Sequence, residues 1–468
     1  MKKETSEYPF DWMLWSSVMS GSKVLDGTRK EYEALLRVIP HFRGVIDLLL
    51  SQGETGRLFM RMGAEYLDDI KTVREKGKKL CFGTFVAAKT LFFAFDNVVP
   101  VWAEVMTVFA SILFRKGTAE YMDYCCEAGF TETSCSAQRG SVGAYLAGLA
   151  ERPDFLVCGA SGICDTNANA MQFMSEYLGI PLFQLTFPSK LTGREIDEYQ
   201  RRDYRALISF VEEHAGTRLD EGRLKSVLEE HRRQDELINE IHDLARLKPC
   251  PMPPIHNLFL YAGKLQMPGR KSFTAVLESM LHDVRKNAEA GRAGTSSGRE
   301  RARLLMCYID HYTTDGRFWE WMDANDISLL PTLIFTFFNK GAPYARGRED
   351  QTYGIDTSTM DAMLDSLADI NAHMPMVKQL RGPYDAAGQW REDLFQMTGL
   401  MQPDLTVYLG SMGCRNSYGA NKLIERDAER SGLPALLLFA DAFDDRVASW
   451  EFCQDKISEF MHVRGILS

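Results

Sequence analysis

No two cysteines in this chain are spaced as CxxC, and the compact four-cysteine run of a bacterial ferredoxin is missing. The first absence speaks against a zinc ribbon, the second against a self-contained cluster peptide. There is no GxxxxGK[ST] loop and no GxGxxG, so nucleotide binding through a phosphate loop or a dinucleotide fingerprint is excluded. HExxH is absent, which removes the zinc-protease helix. Basic residues are in the minority: the net charge of −10 does not suit general binding to nucleic acid. Long apolar runs are missing too. The longest, LFFAFDNVVPVWAEVMTVFASILF, is broken by Asp96, Pro100 and Glu104, so no membrane span is expected. MKKETSEYPFDW has no apolar signal core, and the expected location is the cytoplasm.

What remains is a chain of 468 residues, 45% apolar, long enough for two or three domains with real cores. Residues 1–75 read as a helical cap, with apolar residues at spacings of three and four. Residues 76–190 read as a first α/β lobe. Its strand candidates are 78–85, 97–104 (weakened by Pro100), 154–161 and 181–187, with helical patterns around 103–128, 136–151 and 166–178. Residues 191–300 read as a helical connector, with two long charged helices split near Gly216. It then passes through the stiff KPCPMPP and the small, polar 288–300, an expected exposed loop. Residues 301–468 read as a second α/β lobe. Its strands are expected at 301–309, 327–337, 404–411 and 434–441, its helices near 315–324, 356–371, 384–400, 415–431 and 446–463. Alternating strands and helices imply parallel sheets with right-handed crossovers, and hence two Rossmann-like lobes. Ligands of such sheets gather beyond the carboxyl ends of the strands.

Ten cysteines in a chain of this class are not a disulfide framework. Three of them, Cys135, Cys164 and Cys414, fall in TETSCSAQRG, GICDTN and YLGSMGCRNSYGANK, each in a turn that opens a helical pattern. A thiolate is a soft ligand for iron, and a helix N-terminus favours an anionic cluster beside it. The same three positions also suit ordinary core thiols. Cys158, just upstream of Cys164, is the best spare ligand; Cys81, Cys125, Cys126, Cys250, Cys307 and Cys453 read as core thiols. Glu104 ends an apolar stretch. It reads either as an acid or base with a raised pKa or as a carboxylate favoured by a helix dipole. Among nine histidines, His311 follows a strand and could reach a ligand, although a turn residue bonded to backbone is the simpler reading.

The order SCSxxRGxxGAYL, then DFLVxxxxxxCDT, then PLFQL, resembles the 2-hydroxyacyl-CoA dehydratase and benzoyl-CoA reductase family. VYLGSMGCRNSYG and LPALLLFADAFDDRVASWEFCQDKISEFM extend the likeness. The resemblance implies a helical part and two α/β lobes holding a [4Fe–4S] cluster, with Cys135, Cys164 and Cys414 as its ligands and one iron left open to substrate. It places Glu104, in Trp102-Ala103-Glu104, where relatives have Tyr-Pro-Glu near the cluster, and Thr84 where they have a small hydroxyl residue. It implies a low-potential electron used for ketyl-radical dehydration of a 2-hydroxyacyl-CoA, or for reduction of an aryl-CoA ring. A separate ATP-dependent iron–sulfur activator would deliver that electron, and a related subunit would complete a heterodimer. Two further expectations stay open: a homodimer with a double-cubane [8Fe–9S] cluster that reduces small molecules, and a non-catalytic partner subunit holding a relay cluster.

Overall fold

The computed structural model of the chain describes residues 43–84, 89–104, 107, 119–147, 151–161, 164–186, 194–307, 316–332, 339–347, 352–374, 389–441 and 443–467. Residues 1–42 of the expected cap, half of the helix expected at 103–128, the strand extension at 333–337 and His311 lie outside these. The chain divides into two compact units. The first takes Met1–Arg232, Leu265–Val276 and Ile355–Asn371; the second takes Arg233–Lys264, Leu277–Gly354 and Ala372–Ser468.

The first unit is built on four parallel strands, β1 (Lys79–Gly83), β2 (Val98–Trp102), β3 (Phe155–Ser161) and β4 (Leu182–Thr186), in the order β2-β1-β3-β4. Pro100 is accommodated inside β2, opposite Cys81, because β2 is the outer strand and a proline there leaves the interior ladder intact. Leu80, Cys81 and Phe82 in β1 are fully buried, as expected for a parallel strand covered on both faces. Helices α1 (Arg43–Ser51) and α2 (Gly53–Lys71) precede the sheet, the connections between its strands carry α3 (Lys89–Phe92), α4 (Ala119–Glu127), α5 (Ser136–Leu146) and α6 (Asp165–Leu178), and α7 (Arg194–Ala215) follows it. Helix α7 stops at Gly216, whose φ of 68° is in the left-handed region that glycine enters at least cost; α8 (Glu221–Leu244) follows. The split expected near Gly216 is therefore present.

The second unit repeats the plan. Its parallel strands β5 (Ala302–Met306), β6 (Ile327–Leu329), β7 (Leu405–Ser411) and β8 (Ala435–Ala440) run in the order β6-β5-β7-β8, the same permutation as the first sheet. The remaining helices are α9 (His256–Gln266), α10 (Lys271–Glu289), α11 (Gly316–Ala324), α12 (Met360–Ala372), α13 (Gln389–Met401), α14 (Arg415–Arg430) and α15 (Trp450–Val463). The mixed α/β class and the two parallel-sheet lobes expected from the alternating patterns are both found.

The stretch 288–300 is largely the exposed loop that its composition predicts, pinned at Ala293 and Thr295, which are buried, and at Gly294, whose N–H donates to the Cys250 carbonyl (2.8 Å). Among the described residues, no helix is long and apolar enough to cross a membrane.

Candidate functional site

The sheet of the first unit ends in a distorted edge. Strand β3 pairs regularly with β4 as far as Cys158, then slips in register before Ser161. On its other side the pairing of β3 with β1 ends at Gly83 opposite Val157, before Gly159. Thr84, just beyond β1, takes up the Gly159 N–H: its Oγ1 accepts from Gly159 N at 3.0 Å, and the Thr84 N–H donates to Val157 O at 3.2 Å. Thr84 is fully buried, so its hydroxyl satisfies a group that would otherwise be stranded.

Next along the same edge, β2 runs into Ala103 and Glu104, both buried. Helix α5 grips this segment at two points. Ser141 donates to the Ala103 carbonyl, and Gln138 donates from Nε2 to Glu104 Oε1 at 2.7 Å. On another side α5 packs closely on α4, where a Cβ at Gly143 would run into the Tyr121 carbonyl oxygen. Sequence reasoning singled out Glu104 but not Gln138. The residue type at the start of a helix was visible; its partner, far back in the chain, was not.

Cys135 is the N-cap of α5, and its carbonyl accepts from Gln138 N and Arg139 N at 3.0 Å each. Cys164 is the N-cap of α6, with φ and ψ of −128° and 102°. In the second unit Cys414 is the N-cap of α14, with φ and ψ of −107° and 97°. The last two turns correspond closely. Strands β3 and β7 each have 7 residues, each is third in its sheet, each ends in serine, and each cysteine follows that serine by three positions. All three candidate cysteines are half-buried, whereas Cys81, Cys125, Cys158, Cys250, Cys307 and Cys453 are buried and Cys126 is half-buried in α4. Burial pushes the Cys125 and Cys250 thiols up to about 12, which makes them inert core groups. Cys158 lies within β3 rather than at a strand end, opposite Gln184.

A buried polar cluster flanks the Glu104 turn. Lys89 Nζ donates to Gln266 Oε1 at 2.8 Å and stands 4.5, 5.1 and 5.9 Å from the ring centres of Tyr66, Trp102 and Phe93. Burial holds its amine well below the usual lysine range, and the charge of Arg270 adds to the effect. Trp102 Nε1 donates to Leu265 O at 2.8 Å, so consecutive residues of α9 hold both Trp102 and Lys89. The Tyr66 phenol is held above its ordinary value, first by burial; the charges of Asp69 and Glu104 push the same way.

A family model described as 2-hydroxyglutaryl-CoA dehydratase, D-component, matches residues 84–463. The chain belongs to this family. No curated protein matches it. The D-component match begins at Thr84 and spans Glu104, Cys135, Cys164 and Cys414; helices α1 and α2 precede it.

An iron–sulfur cluster is the group implied for a D-component chain, and the donor chemistry fits. Three cysteines stand at the N-cap positions of three helices, where N–H groups and the dipole favour an anionic sulfur centre. Ser136 Oγ, Gln138 Oε1 and Asn167 Oδ1, all in the first turns of α5 and α6, are buried without a hydrogen-bond partner. Of these only the Ser136 hydroxyl can donate to an anionic group bound beside Cys135. Among the described residues, no set of three His, Cys, Asp or Glu side chains is gathered as a metal site; Cys135 and Cys164 belong to the first unit, Cys414 to the second.

Proposed function

We propose that this chain is a cluster-bearing subunit of an oxygen-sensitive enzyme that dehydrates a 2-hydroxyacyl-CoA through a ketyl radical. Cys135, Cys164 and Cys414 would hold a [4Fe–4S] cluster. Such a cluster supplies a low-potential electron and an open iron position that acts as a Lewis acid. The observation that carries the reading is the shared placement of three half-buried cysteines as helix N-caps inside the D-component match.

The chain's own residues have distinct tasks. Dehydration removes the 2-hydroxyl and a neighbouring carbon-bound hydrogen as water, and the electron that starts it is returned, so no net oxidant is consumed. Glu104 is buried with one oxygen bonded to Gln138, a setting in which a carboxyl can hold a proton beside the reacting carbons. Thr84 accepts the Gly159 N–H, which leaves its own O–H free to serve as a donor in the site. The buried aromatic residues Tyr66, Phe93 and Trp102 keep water from the Glu104 turn. A related subunit completes the enzyme, and a separate ATP-dependent activator delivers the electron in an anaerobic cytoplasm; this chain has no phosphate loop of its own.

The test is anaerobic purification with iron and sulfide analysis and electron paramagnetic resonance. A panel of 2-hydroxyacyl-CoA thioesters is then assayed for enoyl-CoA in the presence of partner and activator. Bound iron and enoyl-CoA formation are expected. A colourless, iron-free protein from anaerobic cells overturns the reading.

A further inference from the structure

Gln138 stands at the third position of a helix capped by Cys135, where a glutamine ordinarily turns back to the N-cap N–H. Here it does not. Its side chain reaches Glu104 and donates from Nε2 to Oε1 at 2.7 Å, while its own Oε1 is buried with no partner. Gln138 is only 2% exposed, so water does not complete its amide, and Glu104 beside it is buried too. An amide oxygen left unsatisfied in the interior costs about 1–3 kcal/mol, and native proteins rarely keep such a group without a use for it.

The chemistry of the pair explains the orphan. An ionised Glu104 only accepts hydrogen bonds, so it needs the Nε2 donor that it has. A neutral Glu104 carries an O–H that needs an acceptor. A carboxamide offers both on opposite faces, and half a turn about its last bond exchanges them. Two nearby hydroxyls are committed elsewhere: Ser141 of α5 donates to Ala103 O, and Thr107 donates to Ala137 O at 2.5 Å. Gln138 is also tied to Cys135, because its N–H donates to the Cys135 carbonyl at 3.0 Å.

We propose that Gln138 is a positioning residue that keeps the Glu104 carboxyl in one place in both of its protonation states, through Nε2 when ionised and through Oε1 when neutral. The inference rests on the reading of Glu104 as the proton-handling group, and it adds how the proton can come and go without the carboxyl moving.

Two measurements test it. In the full-length protein at fixed pH, the difference infrared spectrum of wild type against Glu104→Gln isolates the Glu104 carboxyl band. Gln138→Met should move that band to the position of a carboxyl with one hydrogen bond fewer, and Gln138→Asn, whose shorter stem keeps the amide out of reach, should move it the same way. An unmoved band in a folded variant overturns the proposal, and either variant alone can decide. In turnover of a 2-hydroxyacyl-CoA, Gln138→Met should lower kcat about 100-fold with KM within about twofold, the size expected when a reacting group is misplaced. Added to Glu104→Gln, the same change should have no further effect; an additive loss marks a merely structural residue and overturns the proposal. If wild type turns over no acyl-CoA thioester, the proposed function fails while the infrared result still decides whether Gln138 positions Glu104.

Discussion

At the scale of single residues, buried polar groups divide into those that the fold satisfies and those that it strands. His256 in α9 is fully buried, neither ring nitrogen has a partner, and burial drives its pKa down to about 3. Unfolding restores a value of about 6.5, so between the two values the unfolded chain binds the extra proton. Stability therefore rises with pH in this window and is lost as pH falls from about 6.5 toward 3, at up to about 1.4 kcal/mol per pH unit. His256→Phe should change the unfolding free energy little at neutral pH and raise it by about 2 kcal/mol relative to wild type at pH 5, read from denaturant melts at the two pH values. Lys264 is the opposite case. Its Nζ bonds Asp235 and, at 2.9 Å, the Tyr353 hydroxyl, which in turn donates to Asp235 at 2.9 Å. Lys264→Met leaves Asp235 charged and buried, and should cost about 3–5 kcal/mol in urea unfolding.

At the scale of elements, close packing governs. Helix α5 lies against α4 so tightly that Gly143→Ala would force its methyl onto the Tyr121 carbonyl. The expected loss is about 2–3 kcal/mol, measured by denaturant melts, with the Glu104 carboxyl band disturbed because α5 also grips Ala103 and Glu104. The strands of both sheets were legible as apolar runs, and the helix starts at Cys135, Cys164 and Cys414 were legible from small residues around each cysteine. Gln138 against Glu104 was not legible, nor was Thr84 against the slipped Gly159. Both depend on contacts between segments far apart in the chain, and periodicity carries no information on these.

At the scale of the whole molecule, two units carry one strand order, and each presents a cysteine after its third strand. The proposed cluster has Cys135, Cys164 and Cys414 as its ligands. Cys135→Ser and Cys414→Ser should then remove bound iron to the same extent in anaerobic metal analysis, although the first change is in one unit and the second in the other. Retention of full iron by either variant would assign the cluster to a single unit. The outer strand β2 carries one more consequence. Pro100 has no N–H, so the rim of the first sheet lacks a continuous row of donors onto which a foreign β-strand could zip. A residue read from sequence as a weakness of the strand thus guards nascent chains against sticking together edge to edge.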